Sequence, residues 1–326
     1  GDEGAVFEAI QTFGALSIGC FGRHVFGEGE ELGLLRGENR DILQGADHGV
    51  KVVKLVQNSR VLLLGCSVVK FPLYSILELL ARFGSHWGSF ENLLQEKLRD
   101  VPKGSVFEGL LGIKGTNFSS CEIARANVNV MLMAAYENTG GSVAMLMYHL
   151  IQNPDVLAEL RAEIDALADE EPAQPFKQYP LLDRVIKESM RMASLVPFFG
   201  REIEEDMHVG DGQYFLPKGI AVYVAAGAMH HDKSIWGDPE AFRPSRFLPE
   251  EAKQRPRGSF VPFGGGSRVC AGQSLTMTEM KTTVIRLLRR FDFEVDRERT
   301  GGDPRMELGF AMTPMQLYLR ATPRKV

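Results

Sequence analysis

FVPFGGGSRVCAG, residues 260–272, is the stretch on which the reading of this chain turns. Three glycines, Gly264, Gly265 and Gly266, precede Cys270, and Gly272 follows it. Glycines admit positive φ and let backbone approach a bulky planar ligand. An amphipathic pattern follows at once, so the cysteine falls just before a predicted helix. Amide N–H groups and the helix dipole there favour a thiolate. Arg268, two residues upstream, suits a carboxylate partner. A phosphate cradle is a poorer reading. The run lacks Gly-Lys-Ser/Thr, and Val269 stands where GxGxxG needs its last glycine. A cysteine protease would need a partner histidine, for which there is no local signature. A merely structural Gly-rich loop remains open on these residues alone.

Working outward, residues 272–291 read as a strong helix and residues 306–319 as a terminal hairpin around Thr313-Pro314. Upstream, residues 242–257 form a Pro- and Arg-rich meander containing Phe242-Arg243-Pro244-Ser245-Arg246-Phe247. Residues 196–224 carry two turn signals, Gly210-Asp211-Gly212 and Leu216-Pro217-Lys218-Gly219, between short β-type runs. Residues 181–192 form a helix opened by Pro180, with Glu188 and Arg191 on one face at i and i+3. Such a pair is usually a weak solvated bridge. Residues 170–180 read as a Pro-rich linker and residues 155–168 as an amphipathic helix begun by Asn153-Pro154.

Before these, Ser119-Ser120-Cys121-Glu122 reads as a capping box. It opens a helix running to about Gln152, roughly 50 Å long at 1.5 Å per residue. Residues 128–150 are apolar nearly all round, which predicts deep burial. The first third reads as loosely bounded helices over residues 6–26, 73–83 and 90–98, with a loop over 27–47. Nothing before residue 118 suggests chemistry. The sum is a mainly α chain with small antiparallel β hairpins. The absence of strand–helix alternation argues against a doubly wound sheet or an α/β barrel.

Composition narrows the function classes. The chain has 326 residues, 44% hydrophobic and 24% charged, so it can bury an ample core. A net charge of -5 gives no global attraction to nucleic acid. Cys20, Cys66, Cys121 and Cys270 show no CxxC or zinc-site spacing, and the thiols are read as reduced. Asp2, Glu3 and Glu8 interrupt the opening residues, so no secretory leader is expected. The most apolar run, residues 61–83, is broken by Lys70, Pro72, Glu78 and Arg82 and does not read as a membrane span.

The whole pattern Phe263-x-x-Gly266-x-Arg268-x-Cys270-x-Gly272 resembles the haem-binding loop of the cytochrome P450 superfamily, of eukaryotic type. The resemblance implies that Cys270 is the thiolate ligand of the iron in haem b, iron protoporphyrin IX. It further implies that Arg268 pairs a propionate and that Phe263 covers the sulfur side. A thiolate pushes electron density onto iron and favours O–O cleavage. Glu188-Ser189-Met190-Arg191 looks like the family's Glu-x-x-Arg helix, and the meander looks like its Pro/Arg/Phe element. Together they imply a buried structural network of Glu188, Arg191 and Arg246. By position, Arg201 is similar to the partner of a second propionate. Residues 195–199 and 310–313 would line the pocket.

The family's distal helix carries Ala/Gly-Gly-x-Asp/Glu-Thr. Here it reads Ala134-Ala135-Tyr136-Glu137-Asn138-Thr139. Glu137 matches the acid, Asn138 replaces the threonine, and Thr139 stands one residue on. An amide hydrogen-bonds but is a poor proton relay. Because the acid Glu137 is retained, the resemblance implies a monooxygenase acting on a small lipophilic substrate with O2. Rearrangement or dehydration of a pre-oxygenated substrate is the alternative. Electrons would come from an NADPH-dependent flavoprotein reductase, with Lys253, Arg255 and Arg257 as a docking cluster.

Residues 1–326 are expected to be a single haem-binding catalytic domain, short for the family and lacking its N-terminal portion. A truncated, non-catalytic fragment is the competing class. At full length the resemblance implies the cytosolic face of the endoplasmic reticulum membrane, held only by that missing segment, while this chain reads as soluble.

Overall fold

The structure is a computed structural model that describes residues 4–26, 103, 105–112, 121–167, 178–308 and 311–324. The expectations for 27–47, 61–83, 90–98, the Ser119-Ser120 cap and most of the 170–180 linker lie outside those residues. Two compact units emerge, Gly1–Gln152 with Leu275–Val326, and Asn153–Ser274.

In the first unit, strand β1 (Ala5–Glu8) runs straight into helix α1 (Ala9–Phe26). Residues 6–8, which helical spacing assigns to the helix, are extended because they pair antiparallel with β9 (Tyr318–Pro323). Strand β6 (Phe291–Val295) takes the other edge of β9, giving the order β1-β9-β6. A short helix, α2 (Val106–Leu111), is capped by Ser105, whose hydroxyl accepts from the Glu108 amide at 3.1 Å.

The long apolar helix has three parts: α3 (Cys121–Ala134), a π-helical turn (Ala135–Thr139) and α4 (Gly140–Gln152). Most of α4 is buried, as its all-round apolar pattern requires. Helix α1 packs on α4 and on the π turn. The crossing is close because both sides offer glycine. A Cβ on Gly140 would lie 2.7 Å from the Gly14 nitrogen.

In the second unit, α5 (Pro154–Ala166) and α6 (Pro180–Met192) both begin on proline. The carboxylate of Glu163 in α5 accepts from the Leu181 and Leu182 amides at 2.8 and 3.0 Å, satisfying free donors in the first turn of α6. Two ribbons follow. Strand β2 (Phe199–Glu202) pairs with β5 (Ala221–Val224), and β3 (Met207–Val209) with β4 (Tyr214–Leu216), all antiparallel. The Gly210-Asp211-Gly212 turn has positive φ throughout, which explains its glycines. Short helices α7 (Ala226–His230), α8 (Lys233–Trp236) and α9 (Pro249–Ala252) lead to the cysteine loop.

Helix α10 (Gln273–Arg290) continues from the loop, and α11 (Arg297–Thr300) follows β6. The last ribbon differs from its sequence reading. Strand β7 (Arg305–Leu308) pairs with β8 (Met312–Met315), so Thr313-Pro314 lies within a strand and not at the turn. A two-stranded ribbon has only edges, where proline is tolerated.

Candidate functional site

The cysteine loop is a backbone construction. The Gly264 amide donates to Val261 O at 3.0 Å, and the Val269 amide to Gly266 O at 3.1 Å. The Cys270 amide donates to Phe263 O at 3.0 Å, closing the loop. Gly264 and Gly266 have φ of 73° and 70°, a region that L side chains avoid. Nothing lies within 4 Å of a Cβ built on Gly264, Gly265 or Gly266. Cys270 is exposed, as are Arg268 and Val269, while Phe263 and Gly272 are half-buried.

Arg201 on β2 reaches this loop. Its guanidinium donates to Gly265 O at 3.5 Å and to Gly200 O at 2.8 Å, and stacks 5.1 Å from the Phe199 ring. Just before β2, Val196 and Phe198 are exposed, whereas Leu195 is buried. The loop thus combines one accessible thiol, open glycine backbone, two guanidinium groups and nearby exposed apolar side chains. That donor set fits a flat apolar metal porphyrin with carboxylate arms. Among the described residues no cluster of three metal-ligating side chains occurs.

Glu188, Arg191 and Arg246 are 0%, 0% and 2% exposed. Arg191 grips Glu188 in a fork, Nε to Oε2 at 2.8 Å and Nη2 to Oε1 at 2.9 Å. Arg246 Nε reaches Oε1 at 3.2 Å, and the Arg243 amide reaches the same oxygen at 2.9 Å. Two cations face one carboxylate, so carbonyls absorb the excess. Arg191 donates to His230 O and Pro239 O, and Arg246 to Trp236 O and Asp238 O. Burial lowers the pKa of Arg246, and Glu188 partly offsets that.

Two guanidinium groups stack near the Trp236 ring, Arg191 at 5.2 Å and Arg255 at 4.5 Å from its centroid. Arg255 also stacks on Phe247 and donates to Arg246 O at 2.6 Å. It is therefore half-buried in the meander and set apart from exposed Lys253 and Arg257, with which the sequence groups it.

The three distal candidates sit on the π turn of the first unit. Glu137 is 2% exposed, and its Oε1 accepts from the Thr313 hydroxyl at 3.5 Å. Thr139, 4% exposed, shares a hydroxyl–hydroxyl bond of 3.3 Å with Thr276 of α10. Asn138 Nδ2 donates to Ala134 O at 3.1 Å in its own helix, leaving Oδ1 buried without a donor. Wide π turns of this sort recur at functional sites. Thr276 is invisible to motif reading because its contact is made across the fold. Phe310, expected to line the pocket, lies outside the described residues.

The second unit carries a thiol on a glycine loop and a buried Glu–Arg–Arg cluster, and the first carries a π-kinked apolar helix, a set of features that suits a haem-thiolate class of protein. Comparison agrees. The cytochrome P450 family model matches residues 110–321. Cytochrome P450 4F2 of Homo sapiens is 32% identical over 209 residues, covering 63% of this chain and 39% of that protein. The taurochenodeoxycholic 6 alpha-hydroxylase of Sus scrofa is 32% identical over 215 residues, covering 65% of this chain and 42% of that protein. The heme domain of cytochrome P450DA superposes with a TM-score of 0.80 at 20% identity, covering 99% of this chain and 69% of that one, which speaks for the fold.

The chain belongs to the cytochrome P450 family, whose cofactor is haem. It spans about two fifths of the length of these curated relatives.

Proposed function

We propose that the chain serves a haem-thiolate monooxygenase, inserting one oxygen atom of O2 into a lipophilic organic substrate. In this reading residues 1–326 form one haem-binding catalytic domain. The observation that carries it is Cys270, exposed at the closed end of a hydrogen-bonded glycine loop immediately before α10. When bound, haem with a thiolate ligand supplies the activation of O2.

The chain's own residues supply the setting. Cys270 would present Sγ from a backbone fixed by its amide bond to Phe263 O. Arg201 and Arg268 would take the propionate carboxylates as charge-assisted partners. Phe263 would shield the sulfur side, and Gly266 and Gly272 would let the backbone lie close to the ring. Glu137 would hold a proton at Oε1 in exchange with the Thr313 hydroxyl. Asn138 Oδ1, which lacks a donor, would organise a water. Thr139 is committed to Thr276 and would act through that pair.

Electrons would come from an NADPH-dependent flavoprotein reductase, with Lys253 and Arg257 as the exposed cations available to dock it. Placement at the cytosolic face of the endoplasmic reticulum belongs to the same proposal. Among the described residues no helix is long and apolar enough to cross a membrane.

The direct test is the reduced CO complex of the haem-loaded chain. The parent should show the red-shifted Soret band of a thiolate ligand, and Cys270→Ala should lose it. A Cys270→Ala variant with the parent's spectrum overturns the assignment. Substrate-dependent product formation with O2 and reductase, absent from the same variant, tests the reaction itself.

A further inference from the structure

His230 is fully buried, and both its ring nitrogens are engaged. The Val261 amide donates to Nε2 at 3.0 Å, so Nε2 carries no proton. Nδ1 therefore holds the proton and donates it to Ser194 Oγ at 2.6 Å. That hydroxyl in turn donates to Arg191 O at 3.1 Å. The His230 carbonyl accepts from Arg191 Nη1 at 2.9 Å. The imidazole is wedged against Phe260, with centroids 5.4 Å apart, and Phe260 packs on Phe247 and Trp236. One residue thus touches the buried ion cluster through its backbone and through Ser194, and touches the cysteine loop through Nε2.

The bond to Val261 falls at a decisive point. Val261 O accepts the Gly264 amide, opening the turn that Gly264 completes at positive φ. Phe263, inside that turn, offers the carbonyl to which the Cys270 amide is tied. Fixing Val261 therefore fixes the backbone from which the thiol projects. Neither protonated imidazole nor the Nε2–H tautomer can make the bond, because each sets two N–H donors face to face.

We infer that His230, held as the Nδ1–H tautomer by Ser194, is a positioning residue that carries the order of the Glu188–Arg191–Arg246 cluster to the Cys270 loop. The inference rests on Cys270 as the haem ligand, and its test separates the two. In the full haem-free chain, imidazole nitrogen NMR at neutral pH should find the proton on Nδ1 of His230. A proton on Nε2 overturns the inference. In His230→Leu, hydrogen exchange at the Val261 amide should quicken about tenfold, the loss of one buried hydrogen bond, while the Leu146 amide in α4 keeps the parent's rate. His230→Gln, whose amide oxygen reaches toward the Nε2 position, should restore most of the protection.

After haem loading, the thiolate-type CO band should weaken in His230→Leu and recover in His230→Gln. A folded His230→Leu with the parent's exchange rate and CO spectrum overturns the inference. Should His230→Leu not fold, Ser194→Ala takes its place. Removing the hydroxyl that selects the tautomer should quicken Val261 exchange and mix the two tautomers, and no change in either overturns the inference. A parent lacking the thiolate-type band would strike at Cys270 as ligand. The exchange and tautomer measurements, which need no haem, then decide the role of His230.

Discussion

Burial pushes the pKa of His230 down from 6.5 to about 4, with the neighbouring charges of His231 and Arg191 adding to it. The unfolded chain therefore takes up a proton in this window that the folded chain refuses. The neutral ring's contribution is whole above pH 6.5 and is lost as the pH falls toward 4, at most about 3 kcal/mol. Thermal midpoints followed from pH 6.5 downward should drop more steeply for the parent than for His230→Gln; parallel slopes would contradict this. Glu188 poses a different residue-scale problem, because it is the carboxylate on which Arg191 and Arg246 converge. Glu188→Gln would leave two buried guanidinium groups without it, and such a break costs roughly 3–5 kcal/mol. Urea unfolding at neutral pH measures that loss directly. The pairing of Glu188 with Arg191 is legible from their i, i+3 spacing, and its burial only from the family pattern, since spacing alone suggests a solvated bridge. Nor does sequence show that Arg255, one basic residue in a run of them, lies on Trp236.

At the scale of elements, the crossing of α1 and α4 depends on Gly14 and Gly140. In an isolated helix Gly140→Ala would gain about 1 kcal/mol. Here the new methyl would meet the Gly14 backbone, which has no soft side chain to yield, and a Cβ on Gly14 would meet Tyr136 at 2.5 Å. Overpacking of that kind costs about 1–3 kcal/mol, so the expected result is a net loss, read as a lower thermal midpoint for Gly140→Ala. A rise would mean the helices separate easily. Elements whose signals are local were legible. Pro154 and Pro180 mark the starts of α5 and α6, and the glycine turn marks the β3–β4 ribbon. Residues 6–8 misled because their partner strand lies at the far end of the chain. Thr313-Pro314 misled because a proline on an open edge carries the same letters as a proline in a turn. The π turn has no compositional mark; it is a property of the packed helix.

For the molecule as a whole, a cofactor that binds only the folded chain must stabilise it by mass action. With free haem at about a hundred times its dissociation constant, the gain is about 2.7 kcal/mol. Thermal midpoints measured against rising haem should climb for the parent and much less for Cys270→Ala. A flat response in the parent would favour a haem-free fragment. The glycine loop that presents Cys270 was legible because the family pattern from Phe263 to Gly272 is contiguous. The reach of Arg201 to Gly265, the Thr139–Thr276 pair and the imidazole of His230 were not, since each joins residues that only folding brings together. One such long-range join also bears on the making of the protein. Strand β9, far along the chain from β1, is the middle strand on which both β1 and β6 depend. Ala5 faces Ala321. During translation β1 must therefore wait, its edge open to chaperones or to stray pairing, until β9 has emerged, and the first unit can close its sheet only after translation has passed residue 318.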